Sequence, residues 1–359
     1  MKQGISKDQS KQLQGLAILM MLYHHLFSTP QALGIPYKSL LFINNINFEL
    51  KLAWFFKICV GIYAFVSGYG LCRSLLINDF KNRICESSFL NTIVKEYKFI
   101  LKKLKSFYMQ YFLVFIVFVP IGFIFFNKGF ILSEFILNFI GIKSTYNGAW
   151  WYVLQYVKML LLLPFIHMFF IIFNKPSQNR IKVIFYSCLM IVFLVLFFGF
   201  KNIFWNILNF FQISFLLCFI VGYLIARLQI IEYVYKILGD KIPYVLGCFI
   251  FVLVIFIRMK IAKDASSAGL DFIFAPALAY GFLCIIHIFK HVGKLFLVFG
   301  KYSTYMWLVH VFFYDHYAKR FIMLTGFSTT IYLTLVLVSL ISAIILDTIF
   351  NRIILYIKR

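Results

Sequence analysis

Apolar side chains run along this chain in long blocks separated by short polar or basic stretches, without the alternation of a strand. A helix rising about 1.5 Å per residue needs about 20 residues to cross a hydrocarbon layer about 30 Å thick. Ten blocks read as spans of this kind: 12–28, 52–76, 106–126, 150–173, 181–199, 206–226, 243–262, 270–289, 296–316 and 328–350. Backbone polar groups find no water inside a bilayer, so continuous apolar blocks must close their hydrogen bonds within helices. Pro120, Pro164 and Pro276 fall inside or near the ends of spans, where neighbouring helices can satisfy the freed carbonyls. Ile131 to Ile142 is apolar but too short to cross, which predicts an interfacial or re-entrant segment. The expected fold is all-α, a single polytopic membrane domain over 1–359 with about ten transmembrane helices.

Composition strengthens the membrane reading: the chain is 63% hydrophobic and 21% aromatic, its mean hydropathy is +0.91, and Phe supplies 47 of 359 residues. Charge sets the orientation, because Lys and Arg near span ends are retained on the cytoplasmic side. With the amino terminus inside, 23 of the 35 Lys and Arg residues lie on the inner side, 10 lie outside, Arg258 among them, and Lys57 and Lys158 fall within spans. Both termini are therefore expected to be cytoplasmic. The net charge of +23 follows from this asymmetry and from attraction to anionic lipid headgroups. Nucleic acid is not an expected partner. The first block resembles a signal peptide in its apolarity, but no small-residue cleavage site follows it, so it is expected to be retained.

The seven cysteines are scattered singly, with no CxxC or other ligand spacing, and read as small hydrophobes. Ionisable groups at bilayer depth carry more information, since a charged one costs at least about 2.5–3.5 kcal/mol there. His24 and His25 sit about 17 Å along the first helix, near mid-membrane. Neighbouring helical residues diverge by about 100°, so one of the pair is expected to face a cavity and the other to support it. Lys57 lies near the outer end of its span and either snorkels or faces a ligand. His310, Asp315 and His316 cluster in the outer half of the ninth span, as core, interfacial or catalytic groups. Lys158, His167 and Asp347 have bland explanations in snorkelling, pairing or a nearby inner surface. On the inner side, Lys95, Lys98, Lys102, Lys103 and Lys105 precede the third span, either as a topology signal on anionic lipid or as a phosphate site.

The first span carries Gln14-Gly15-Leu16-Ala17-Ile18-Leu19 and then Tyr23-His24-His25. This resembles the opening of the bacterial membrane acyltransferase-3 family, in which a histidine stands eleven positions after a basic residue. Three further segments are similar to family features in the same order: Val60 to Gly70 with its Ser67-Gly68-Tyr69 end, Ala149-Trp150-Trp151-Tyr152 with Tyr156 and Pro164, and Phe299-Gly300-Lys301-Tyr302-Ser303 through Trp307 and His310. The departure is Gln14, which stands where relatives carry the basic residue; Lys11 lies one turn earlier.

The resemblance implies transfer of an acyl group, commonly acetyl, from cytoplasmic coenzyme A to a hydroxyl of an envelope carbohydrate or lipid-linked glycan, in the bacterial inner membrane. Acyl-CoA is then a co-substrate, with no tightly bound cofactor and no metal. His25 would be the general base, with His24 and His310 beside it; apolar surroundings favour the neutral imidazole that a base requires. Lys102, Lys103, Lys105, Ser67, Gly68 and Tyr69 would serve the donor, glycine allowing its close approach. Trp151, Tyr152, Lys57 and Asp271 would serve the acceptor, although Trp151 and Tyr152 also suit an interfacial aromatic belt and Asp271 suits pairing with Lys57. The rival reading is a transporter or exporter of a sugar or lipid-linked sugar, with embedded histidines relaying protons. A non-catalytic partner of a polysaccharide synthase is a third. His287 and His291 have helical ligand spacing but lie at the inner end of a span, where a solvated pair is expected.

Overall fold

The computed structural model describes residues 4–29, 34–40, 42–43, 46–82, 89–126, 129–173, 213–262 and 269–357. Helix α1 (Lys7–Phe27) starts at a capping box, in which the Ser6 hydroxyl accepts from the Gln9 amide at 3.1 Å and the Gln9 side chain accepts from the Ser6 amide at 2.9 Å. A hairpin of two-residue strands, β1 (Phe42–Ile43) and β2 (Ile46–Asn47), pairs Phe42 with Asn47 and Ile43 with Ile46. Asn47 caps α2 (Phe48–Phe56), and α3 (Cys59–Asn82) follows after a break at Lys57. Then come α4 (Phe89–Phe125), α5 (Leu132–Phe139), α6 (Trp151–Phe173), α7 (Ile213–Arg227), α8 (Ile230–Leu238), α9 (Lys241–Ile261) and α10 (Asp271–Ile288). Helix α11 (Lys290–Val311) runs into a π-helical turn at Phe312–Tyr317, and α12 (Lys319–Met323) and α13 (Ser328–Ile357) complete the bundle.

Two pairs of glycines bring helices into backbone contact. A Cβ on Gly300 of α11 would lie 1.7 Å from the Lys11 carbonyl oxygen, and one on Gly15 of α1 would lie 2.0 Å from that of Phe296. Contacts then climb in the same order along both helices, from Gln12 with Gly293 to His25 with His310, so α1 and α11 run side by side in one direction. Likewise α3 and α7 meet where a Cβ on Gly68 would lie 1.9 Å from the Phe219 carbonyl oxygen and one on Gly222 would lie 2.1 Å from that of Phe65. Small residues permit such approach between membrane helices, where van der Waals packing must replace the hydrophobic drive.

Helix α5 folds back along α4. Phe139 stacks on Phe112 with centroids 4.4 Å apart, Phe135 meets Phe115, and the Tyr108 hydroxyl donates to the Ile140 carbonyl at 2.9 Å. The expected short segment 131–142 thus doubles back against α4. Its return is pinned by Asn147 and Trp150, whose side chains both donate to the Leu308 carbonyl at 3.0 Å, while the Trp307 indole donates to the Ala149 carbonyl at 3.1 Å. Helix α6 therefore starts beside Tyr111 and Phe115 of α4, well short of the carboxyl end of that helix.

Among the described residues, seven helices are long and apolar enough to cross a membrane, or eight if the pair α7 and α8, bent by 52°, is one span. The expected span 181–199 and the start of 206–226 lie outside the described residues. Helix α1 does not qualify on apolarity, because Lys11, Gln12, Gln14, His24 and His25 interrupt it. Its apolar side is nevertheless fully enclosed, with Leu13, Ala17, Ile18, Leu22, Leu26 and Phe27 at 0% exposure.

Candidate active site

The polar interruptions of α1 have a destination. Gln14, His24 and His25 all border a partly open cavity of about 130 Å³ within the bundle. On α1 alone it extends from Gln14 to His25, about 16 Å along the helix axis. Lys57 and Ser67 border it from the chain around α3, and Phe107, Trp151, Tyr152 and Trp307 wall it with aromatic surface. These walls interlock: Trp151 and Tyr152 have centroids 5.5 Å apart, Tyr152 and Trp307 5.9 Å, and Phe107 stacks on Trp307 at 6.3 Å.

Three imidazoles gather at one end. His25 lies 5.5 Å from His24 and 5.0 Å from His310, centroid to centroid, with the Tyr314 ring 6.4 Å from His25 and 6.0 Å from His310. His24 is buried, and its Nδ1 lies 2.8 Å from the Ala53 carbonyl oxygen. His310 is fully buried, with Nδ1 2.7 Å from the Trp307 carbonyl oxygen. A carbonyl only accepts, so both nitrogens carry hydrogen and each neutral ring keeps its lone pair at Nε2. The Nε2 of His310 is buried without a hydrogen-bond partner among the described residues. His25 is half-buried and makes no hydrogen bond among the described residues. Both members of the adjacent pair thus border the cavity, where only one was expected to, and His25 is the ring left free within it.

At the other end the Gln14 side chain accepts from the Lys11 ammonium at 2.9 Å, and the Tyr63 hydroxyl donates to the Gln14 carbonyl at 3.2 Å. The amide thereby relays a cation one turn away to the cavity wall.

The family model described as an acyltransferase domain, that of the acyltransferase-3 group, matches residues 10–348. The chain belongs to the acyltransferase-3 family. It is a multi-pass membrane O-acyltransferase. No curated protein and no solved structure gives a match.

In this acyltransferase the remaining candidate residues divide clearly. Trp151 and Tyr152 lie in the cavity wall, where α6 begins beside Tyr111 of α4. Gly68 and Tyr69 do not border the cavity: Gly68 faces the Phe219 backbone, which is helix packing, and the Tyr69 hydroxyl accepts from the Ile5 amide at 2.9 Å. Lys102, Lys103 and Lys105 are exposed on α4, within about one and a half turns before Phe107, and stand outside the cavity. Asp271 does not pair with Lys57. It is buried, and its carboxylate accepts from the Arg258 guanidinium at 2.9 Å, with side-chain exposures of 1% and 2%. Arg258, expected in an outer loop, thus sits inside α9 as the partner of α10.

His167 contacts the Tyr223 hydroxyl at 2.6 Å and stands 3.6 Å from Glu96, joining α6, α7 and α4 away from the cavity. His287 stacks on Tyr244 at 4.4 Å, and His316 lies 3.8 Å from Asp315 in the π turn. Phe107 and Tyr314 were not singled out from the sequence as site residues, and Tyr63 and Ser303 stood only within the motifs similar to the family. Tyr314 had a usable signal, since residues four apart on a helix share a face and it follows His310 by four.

Proposed function

We propose that the enzyme moves an acyl group of acetyl size from cytoplasmic acyl-CoA to a hydroxyl of an envelope polysaccharide or lipid-linked glycan, with His25 as general base. The observation that carries this reading is a free imidazole in the cavity between two imidazoles each tied to a backbone carbonyl. The acceptor hydroxyl gives its proton to His25 as its oxygen attacks the thioester carbonyl. The C–S bond then breaks, an ester forms, and the thiolate leaving group recovers the proton as a thiol.

On this reading the chain crosses the bacterial inner membrane ten times, with both termini in the cytoplasm. Coenzyme A is a polyanion, and the exposed Lys102, Lys103 and Lys105 offer it point charges on the same helix that supplies Phe107. Replacing all three by Ala should raise KM for acyl-CoA about tenfold at low salt and leave kcat within about twofold, with the difference shrinking as ionic strength rises. Initial rates over a salt series measure this, and an unchanged KM would remove the lysines from donor binding.

The Lys11–Gln14 relay supports a cationic role at the inner end of the site. Lys11→Met should lower kcat/KM about tenfold or more, the usual worth of a charge-assisted hydrogen bond. Lys11→Met combined with Gln14→Arg should recover most of the loss, since the charge then stands on the cavity wall itself. Failure of the double variant to recover, with the protein still folded, would show that the relay geometry and not the charge matters. The test of the whole reading is mass spectrometry of envelope glycans with and without the gene; an unchanged acyl pattern shifts the weight to export of a sugar.

A further inference from the structure

Lys57 occupies the break between α2 and α3, and its ammonium sits 5.8 Å over the Trp151 ring while bordering the cavity. Among the described residues no carboxylate lies within ion-pair distance of it. Asp271 acts on Lys57 only through space and is itself bonded by the Arg258 guanidinium at 2.9 Å. The carbonyls that end α2 favour a cation at this position without supplying a counter-charge. The aromatic face beneath the ammonium contributes attraction of the same incomplete kind. A charge held inside a membrane bundle at such expense usually faces a partner or a ligand.

Its place in the cavity narrows what that ligand is. Lys57 stands at the histidine end of α2 and α3, about ten residues or 15 Å along the chain from Ser67, which borders the same cavity further toward the inner side. The phosphates of a cytoplasmic donor remain at the inner mouth. A group meeting Lys57 therefore arrives with the acceptor. Trp151 provides the flat apolar platform on which a sugar ring lays its C–H face, and Lys57 provides the cation above it.

We propose that Lys57 and Trp151 form an acceptor subsite for an acidic sugar, so that the hydroxyl to be acylated belongs to an anionic glycan. This rests on the proposed acyl transfer for its direction, but its test is a binding measurement. The charge is a carboxylate on the ring or a phosphate attached to it, and both pair with a lysine ammonium.

The experiment uses the full-length enzyme in nanodiscs and three methyl glycosides: a neutral hexose, the corresponding uronic acid and the hexose 6-phosphate. Binding is read by saturation-transfer NMR competition, without acyl donor. The wild type should bind one or both acidic probes at least about tenfold more tightly than the neutral one, a ratio typical of one charge-assisted contact. A preference for the uronic acid identifies a carboxylate sugar, and one for the 6-phosphate identifies a phosphorylated or lipid-phosphate-linked acceptor. Lys57→Met should reduce the ratio to near one, and Lys57→Arg should retain it. Equal binding of the three probes by the wild type, or an undiminished ratio in Lys57→Met, overturns the proposal. Selective binding by an enzyme that transfers no acyl group to any acceptor would leave the subsite standing and remove the proposed function instead.

Discussion

His25→Ala should reduce acyl transfer by about 10²–10⁴-fold, the range that a positioned general base supplies, while the protein remains inserted and abundant. The structural reason for expecting a clean effect is that His25 makes no hydrogen bond to the bundle, so its removal breaks no packing network. His24→Ala should behave differently. It deletes a bond to the Ala53 carbonyl that ties α1 to α2, so both melting temperature and activity should fall. Transfer rates from radiolabelled acyl-CoA in membranes, normalised to protein amount, separate the two. Full activity in His25→Ala would remove this ring from the mechanism and leave the buried Nε2 of His310 as the base to examine.

The second large effect is expected far from any reacting atom. Gly300→Leu places a Cβ 1.7 Å from the Lys11 carbonyl oxygen, a backbone atom that cannot swing aside as a flexible side chain would. Overpacking typically costs about 1–3 kcal/mol, and here the only relief is separation of α1 from α11. That separation pulls His310 away from His25, because the two rings stand on these two helices. The variant should lose activity and melt at a lower temperature in a detergent thermal-shift assay. Gly70→Leu is the control, since a Cβ there meets nothing within 4 Å, and it should match the wild type. A Gly300→Leu protein with unchanged melting would show that the seam can open at no expense.

Apolar periodicity was sufficient to place most of the membrane helices, because length and hydropathy act within one segment and need no knowledge of neighbours. The histidine end of the site was legible for a related reason: a polar group at bilayer depth is conspicuous in a chain of this composition, and His24, His25, His310 and Lys57 stood out on that ground alone. What the sequence concealed depends on pairs of helices. The glycines near 15 and 300 look unremarkable until the backbones they admit are seen together, and Gly68 looked like a ligand position when its neighbour is the Phe219 backbone. Arg258 was counted with a loop because basic residues near a span end usually reach water; its carboxylate partner, thirteen residues onward, lies on the next helix. For Trp151 the sequence left a cavity wall and an interfacial belt both open, because residue spacing says nothing of the fold-back of α5, which lets α6 begin within the bundle.

The two carbonyl tethers have a dynamic corollary. A ring whose nitrogen is anchored to main chain cannot turn about its side-chain torsions without surrendering that anchor, so His24 and His310 behave as fixed jaws. The imidazole between them has no such restraint, and rotational freedom in this cluster is concentrated in one swivelling side chain that can meet an incoming alcohol in one pose and a departing sulfur in another.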